Sequence, residues 1–205
     1  MKIAILGTGN VATSLAKALV GTHEVKFGAR NPASDSALKA AAIAEPVEAQ
    51  DAVAWSDLII NATPGGSSIA TLESIGAPVL GERILLDVAN ASDETLSLIY
   101  PNDSLARNIQ ERFPSLKVVK SLNTMNTSVM TNPSIIAPST VYLSGNDASA
   151  KATVSALLED IGWPVSSQLD LGDIATARGP EHYFLLFFPT LRALGSPVFN
   201  VAVTH

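Results

Sequence analysis

Short apolar segments alternate with amphipathic stretches along most of the chain. The apolar segments are four to six residues long and lie at residues 3–6, 24–27, 57–62, 83–88, 117–122 and 140–143. Apolar spacing and turn residues predict helices after residue 10, over 36–44, 68–75 and 105–113, and between 147 and 162, with a shorter strand at 47–49 and a helical turn at 51–54. Strands that alternate with helices in this way indicate an α/β fold, in which helices cover a doubly wound parallel sheet.

The pattern changes after about Ser166. Residues 174–178 are predicted to be helical, and a second helix over 181–194 has apolar side chains on nearly every face. A helix without a polar face must be buried on several sides. Either a second subunit covers part of this small C-terminal helical segment, which predicts a homodimer, or the helix closes the sheet.

The first strand runs directly into a glycine-rich turn, since residues 7–12 read Gly-Thr-Gly-Asn-Val-Ala. Gly7 allows the tight turn, Gly9 lets the backbone approach a pyrophosphate, and Ala12 lets the next helix sit close to the strand. The free N–H groups at the start of such a helix bind phosphate. The motif therefore predicts a Rossmann-type dinucleotide site, formed by Gly7, Thr8, Gly9, Asn10 and Val11.

The end of the second strand predicts which dinucleotide is bound. In NAD sites, an Asp or Glu about 20 residues beyond the glycines bonds the ribose 2′-hydroxyl. Here Arg30 and Asn31 stand at that place, and no carboxylate follows until Asp35. A guanidinium binds the 2′-phosphate of NADP with two parallel hydrogen bonds, which predicts NADP; the alternative is that Arg30 is a solvated loop side chain. Further donors nearby in the sequence are Thr8, Asn31, Ser34 and Lys39.

Ligands of an open parallel sheet bind beyond the carboxyl ends of its strands. The loops at that edge are residues 7–11, 28–31, 63–66, 89–90 and 122–126. Small residues there let the backbone lie against the nicotinamide ribose, so we assign further cofactor contacts to Thr63, Pro64, Gly65 and Ala89. The alternative for this segment is an ordinary glycine turn capped by Ser67 or Ser68.

No set of nucleophile, base and orienting residue stands out. The serines at 67–68 have no His nearby, and Asp173 precedes an apolar helix, which predicts an N-cap rather than an acid paired with Asp170. His182 is expected to be a packing residue, and Lys120 is either a general acid or a structural cation. Hydride transfer between a nicotinamide and a flavin-like ring needs alignment and exclusion of water more than a protein acid.

Composition narrows the classes of function. The 205 residues carry a net charge of −6, without a basic stripe that could neutralise a nucleic-acid backbone. There is no cysteine, and His23, His182 and His205 lie far apart, so no metal site is expected.

The first strand begins at residue 3, and the most apolar run, 183–188, is shorter than the roughly 20 residues that span a bilayer. We expect no signal peptide and no membrane segment, and hence a cytoplasmic protein.

Further short motifs accompany the glycine turn: Gly28-Ala29-Arg30, Lys117–Lys120 with Asn123-Thr124, Ser144–Asp147, Gly162–Pro164, Asp170–Asp173 and Phe199-Asn200. With them the chain resembles, over almost its whole length, the NADP oxidoreductases dependent on the deazaflavin coenzyme F420 and the related bacterial dinucleotide-binding reductases. The reductase domain of the STEAP-type ferric reductases is similar too. The resemblance implies NADPH bound at residues 8–11 and Arg30, with hydride passed to a second ring stacked on the nicotinamide.

One segment departs from the F420-dependent enzymes. After the strand that ends near Lys120 they have His-Thr followed by Ile-Pro, whereas this chain has Asn-Thr-Met-Asn at 123–126. Thr124 matches and Asn123 does not, and these two are the candidate catalytic residues.

We therefore expect an NADP-binding Rossmann domain over 1–147 and a C-terminal extension over 148–205. The extension is expected to pack on the sheet and on a dimer partner. The predicted function is NADPH-dependent hydride transfer with a small-molecule acceptor of the flavin or deazaflavin type. Candidates for an apolar pocket are Leu122, Met125, Met130, Phe184, Phe187 and Phe188.

Two alternatives stay open, a sensor that binds NADPH without turnover and a reductase of a small carbonyl or imine. Related carbonyl and imine reductases carry a long helical domain, for which the fewer than 60 residues after Asp147 are too few.

Overall fold

Eight strands form one sheet in the computed structural model, which describes residues 1–204. They are β1 (Lys2–Leu6), β2 (Glu24–Ala29), β3 (Glu45–Glu48), β4 (Leu58–Asn61), β5 (Ile84–Asp87), β6 (Lys117–Lys120), β7 (Val141–Gly145) and β8 (Gln168–Asp170). Their order is β3-β2-β1-β4-β5-β6-β7-β8, and neighbours from β3 to β6 are parallel. Because the order runs in both directions from β1, the fold is a doubly wound α/β fold of the Rossmann type, which confirms the predicted class.

The helices between the strands are close to those predicted. They are α1 (Asn10–Leu19), α2 (Asp35–Ala40), α3 (Ala49–Trp55), α4 (Gly65–Ile75), α5 (Ala77–Leu80), α6 (Leu105–Arg112), α7 (Thr127–Met130), α8 (Ala148–Ile161), α9 (Arg178–His182) and α10 (Phe184–Leu194). The helix predicted over 36–44 ends at Ala40, because the chain must turn before β3 begins at Glu45. Strand β3 contains Pro46, which is tolerated since β3 lies at the edge of the sheet.

The other edge of the sheet departs from the predicted parallel arrangement. Strand β7 runs antiparallel to β6, and β8, which the sequence did not predict, runs parallel to β7. Strand β8 has only three residues, one of them the exposed Leu169, so no apolar pattern marks it in the sequence. The 3-10 helix Ile174–Ala177 then begins at Asp173, whose carboxylate accepts a hydrogen bond from the Ala175 N–H at 3.0 Å. The predicted capping role of Asp173 is therefore confirmed.

Two apolar layers fill the two sides of the sheet. In β1, Ile3 and Ile5 belong to the layer that contains buried residues of α1 and α8, and Ala4 and Leu6 belong to the layer under α4 and α6. All four side chains are completely buried. Parallel strands buried on both faces leave only their ends accessible, so a ligand site must lie at the ends of the strands.

The apolar helix α10 lies at the surface of the chain. Leu185, Leu186 and Leu194 are 55%, 56% and 60% exposed, and no side chain of α10 is fully buried by residues 1–204. The alternative in which this helix simply closes the sheet is therefore wrong. The homodimer and the division of the chain at residue 147 stay predictions. Over the same residues, no helix combines the length and the apolar character needed to cross a membrane.

Candidate functional site

A cleft of about 600 Å³ opens at the carboxyl ends of the parallel strands. It is lined by residues 7–11 and 62–65, by 88–90, by Asn123, Met125, Asn126, Thr127 and Met130, and by Phe187. The predicted cofactor-binding residues in this lining are Gly7, Thr8, Gly9, Asn10, Val11, Thr63, Pro64, Gly65 and Ala89. Arg30, Asn31 and Thr124 lie outside the lining, whereas Asn123 is part of it. A cleft of this size suits a small-molecule ligand.

The two glycines of the glycine loop (residues 7–11) have different physical roles. Gly7 has a φ of +105°, and a Cβ there would lie 3.0 Å from the Ala62 carbonyl oxygen, so the protein itself requires this glycine. Gly9 has a φ of −82°, which any residue adopts, and a Cβ there would meet no atom of the described residues within 4 Å. Space left free beside the backbone fits the close approach of a pyrophosphate.

The start of α1 provides hydrogen-bond donors beside that space. Its N-cap is Gly9, which has no side chain to satisfy the first N–H groups, and its first turn holds no acidic residue. Helix α1 is 10 residues long, so its N-terminus carries a partial positive charge. Free N–H groups, positive potential and the open position at Gly9 together fit the phosphates of a dinucleotide.

The loop after β2 lies next to the glycine loop. Arg30 is exposed directly after β2, and the Asn31 Oδ1 accepts a hydrogen bond from the Ala33 N–H at 3.0 Å. The Thr8 hydroxyl donates to the Ser36 Oγ at 2.9 Å, which joins the glycine loop to the first turn of α2. Ser36 was not among the predicted donors, although it lies two residues from the predicted Ser34.

Gly65 is required by a close backbone contact. It begins α4, and a Cβ there would clash with the Asn90 carbonyl oxygen. The segment is the start of a helix, and neither Ser67 nor Ser68 caps it. The alternative of a serine-capped glycine turn is therefore wrong. Ser68 is instead buried, where its Oγ accepts from Asn61 Nδ2 at 2.9 Å.

Asn90 and Asn123 form a reciprocal pair in the cleft. Asn90 Nδ2 donates to the Asn123 carbonyl oxygen at 2.7 Å, and Asn123 Nδ2 donates to Asn90 Oδ1 at 2.9 Å. Because the backbone carbonyl can only accept, the orientation of both amides is defined. The Asn123 Oδ1 is then buried with no hydrogen-bond partner among the described residues. Leu122, just before it, has a φ of +62°, an unusual conformation that sets the direction of the chain at Asn123.

Lys120 belongs to a buried group of charges. Its Nζ donates to Asp87 Oδ2 at 2.8 Å and to the Ala89 carbonyl oxygen, and it lies 3.1 Å from Glu181 Oε1. Burial alone lowers the pKa of this ammonium, but the carboxylates of Asp87 and Glu181 outweigh burial, so that the pKa lies above its ordinary value. A cation held by three partners and completely shielded from solvent is a structural cation, which decides between the two roles that the sequence left open for Lys120.

The three largest apolar side chains of the cleft lining are Met125, Met130 and Phe187, which are called the apolar lining below. The ring of Phe187 stacks on Phe199 with centroids 5.1 Å apart and an interplanar angle of 27°. Leu122, Phe184 and Phe188, the other predicted pocket residues, do not line the cleft. Leu122 is buried in the core. Phe188 instead packs its edge against Phe187, with centroids 5.5 Å apart.

None of the described side chains that line the cleft is ionisable. His182 lies elsewhere, with Nε2 3.1 Å and 3.3 Å from the carbonyl oxygens of Asp103 and Tyr100. Asp170 pairs with Lys151 at 2.8 Å. Within residues 1–204 no group of His, Asp or Glu could hold a metal ion, and His205 lies outside the described residues.

The fold and the glycine loop define a dinucleotide-binding protein of the Rossmann type, and comparison with known proteins narrows this class. Residues 2–91 match the family described as NADP oxidoreductase, coenzyme F420-dependent. The crystal structure of a candidate F420-dependent NADP reductase from Arthrobacter sp. FB24 is 41% identical, with a TM-score of 0.94 and full coverage of both chains. The chain therefore belongs to the family of F420-dependent NADP oxidoreductases.

Two curated relatives extend the comparison. The F420-dependent NADP reductase of Methanocaldococcus jannaschii is 27% identical over 195 residues, which cover 87% of this chain and 86% of that protein. The metalloreductase STEAP3 of Rattus norvegicus is 31% identical over 202 residues, which cover 95% of this chain. The chain spans only 39% of the length of the rat protein.

Proposed function

We propose that this protein transfers hydride between NADP(H) and a flat, flavin- or deazaflavin-type ring. The observation that carries the proposal is the cleft lining, in which no described side chain is ionisable. Reduction of a carbonyl or imine must place a proton on oxygen or nitrogen, usually from a positioned acid. A flavin-type ring accepts hydride and spreads the negative charge over its own ring system, so it needs no protein acid. This favours the ring acceptor over the carbonyl or imine alternative.

The chain's contribution is to bind and orient the cofactor. The N–H groups of Asn10 and Val11 would bind the pyrophosphate over Gly9, because the space there is free and the helix end is positive. Arg30, with Asn31, would bind the 2′-phosphate. Thr63 to Gly65 and Ala89 would lie along the ribose that carries the nicotinamide. When bound, NADPH supplies the hydride.

The acceptor would lie against the apolar lining. Met125, Met130 and Phe187, which line the cleft, would exclude water from a bound ring and present flat or adaptable surfaces to it. The unpaired Asn123 Oδ1 would accept a hydrogen bond from an amide N–H of the cofactor or of the ring, once that oxygen is exposed to it. Apolar side chains that line an open cleft support a reductase rather than a sensor that only binds NADPH.

The test is oxidation of NADPH by the purified protein with a panel of acceptors: FMN, FAD, riboflavin, coenzyme F420, quinones and ferric chelates. NADH is measured in parallel, and a Gly9→Val variant serves as the blank for uncatalysed oxidation. Turnover with one ring-type acceptor and a preference for NADPH is the expected result. A small ketone and a cyclic imine are assayed beside the panel. Tight binding of NADPH without oxidation by any of these acceptors would contradict the proposal and favour the sensor, and turnover with the ketone or imine alone would favour the second alternative.

A further inference from the structure

Glu181 is a buried carboxylate that the hydride transfer itself does not use. It lies in α9 and is only 4% exposed. Its Oε2 accepts from the Leu105 N–H at 2.7 Å, and its Oε1 accepts from the Ala106 N–H at 3.0 Å. These are the first two residues of α6, so the charge lies at the positive end of that helix. Glu181 therefore attaches the C-terminal part of the chain to α6.

Lys120 connects the same carboxylate to the wall of the cleft. The Lys120 Nζ lies 3.1 Å from Glu181 Oε1 and also donates to Asp87 and to the Ala89 carbonyl oxygen. Asp87 in turn accepts from Asn61 Nδ2 at 2.8 Å. Ala89 lines the cleft, and Asn61 precedes the lining segment 62–65. A continuous set of charge-assisted bonds thus runs from the cleft wall to α9.

Helix α9 is followed almost directly by α10, the helix that contains Phe187. Only Tyr183 separates α9 from α10. Among the described residues that line the cleft, Phe187 alone lies after Met130 in the sequence. Helix α10 has no fully buried side chain to attach it, whereas Pro180 and Glu181 in α9 are buried. Phe187 is therefore held in two ways, by the segment around Glu181 that precedes it and by the stack of its ring on Phe199.

We propose that Glu181 is a positioning residue, which holds α9 and α10 so that Phe187 completes the apolar lining. The inference rests on the proposed function, because it assigns the acceptor to that lining. It predicts that loss of the Glu181 charge affects the acceptor and leaves NADPH binding at the glycine loop intact.

The test is Glu181→Gln, which keeps the size of the side chain and removes its charge. We expect hydrogen exchange in α10 to rise about tenfold while exchange in α1 stays unchanged. With the ring acceptor that the panel identifies, we expect kcat/KM to fall about tenfold, through KM, with the Kd for NADPH unchanged. Glu111→Gln is the matched control, because Glu111 is an exposed carboxylate of α6 that pairs with Arg107. It should change neither the exchange in α10 nor the kcat/KM for the acceptor.

A second comparison isolates Phe187. Phe187→Ala alone should raise the KM for the acceptor as much as Glu181→Gln does, and the double variant should show no further increase, since both act on one contact. Effects that add fully would overturn the inference. Two other results would also overturn the inference. The first is faster exchange throughout the chain with a parallel loss of NADPH affinity, which is the result of a merely structural role. The second is unchanged exchange in α10.

Failure of the inference is distinguishable from failure of the proposed function. The exchange measurement needs no acceptor, so it is informative even if the unmodified protein reduces none of the panel. If Glu181→Gln does not fold, Glu181→Asp replaces it, because it keeps the charge and shortens its reach. The same selective exchange in α10 is then expected, and its absence counts against the inference.

Discussion

The glycine loop and the apolar lining belong to one cleft but are built in different ways. The glycine loop consists of consecutive residues, 7–11, and what it offers is backbone: N–H groups and the open position at Gly9. The apolar lining combines Met125 and Met130 with Phe187, and what it offers is side chains brought together by the fold. A site of the first kind can be recognised from a short motif, whereas one of the second kind depends on the packing of distant segments.

The largest effect that separates the two regions is expected at Gly9. Gly9→Val should raise the Kd for NADPH and for NADH by about 100-fold or more, because the side chain would fill the space of the pyrophosphate. Thermal unfolding should show a loss of only about 1 kcal/mol, from the less favourable N-cap, since a Cβ at Gly9 meets no described atom. Gly21→Val is the control, because the same is true at Gly21. Unchanged affinity in calorimetric titration would remove the pyrophosphate from this loop.

Arg30 tests whether the loop after β2 distinguishes the two dinucleotides. Arg30→Ala should weaken NADPH binding by roughly 1.5–3 kcal/mol, since it removes charge-assisted hydrogen bonds to the 2′-phosphate. Binding of NADH should be unchanged, and Arg192→Ala, at another exposed arginine, should affect neither. Equal losses for both dinucleotides would show that Arg30 does not read the 2′-phosphate, and no loss for either would show that it is a solvated loop residue.

Phe187 tests the apolar lining by itself. Phe187→Ala should raise the KM for a ring acceptor about tenfold, because it removes one aromatic wall. The Kd for NADPH should change little. Phe184→Ala, three residues away in α10 and outside the lining, should have no such effect. If NADPH binding falls as much as acceptor turnover does, the two regions are not separate in function.

The smallest effect concerns pH. Because no described residue that lines the cleft is ionisable, the rate of hydride transfer at saturating NADPH and acceptor should vary less than about twofold between about pH 6 and 9. Stopped-flow measurement of NADPH oxidation checks this. A bell-shaped profile would reveal a protein acid or base and would favour a carbonyl or imine substrate.

Prediction from the sequence succeeded for the features that a few neighbouring residues determine. The turn at Gly7, the helix that follows it and the cap at Asp173 each depend on a few consecutive residues, and the structure contains all three. Prediction from the sequence did not find the role of Ser36, the Asn90–Asn123 pair or β8. Each of these depends on a contact with another segment: Ser36 with Thr8, Asn90 with Asn123, and β8 with β7.

Glu181 shows the same limit most clearly. In the sequence it is an acidic residue at the start of an apolar helical run, with nothing to mark it as buried. Its partners at the start of α6 lie 76 and 75 residues earlier in the chain. Without that contact the role of Lys120 could not be decided, since a lysine on a strand is compatible with an acid or with a structural cation.

The sequence by itself determined the class of fold and the position of the glycine loop, because the alternation of strands and helices and the glycine spacing are local properties of the chain. Only the tertiary structure decided that Lys120 is a structural cation, that Glu181 attaches α9 to α6, and that the described residues fully bury no side chain of the apolar helix α10. The reason is physical: burial and ion pairing depend on which distant segments meet, and no short stretch of sequence records that.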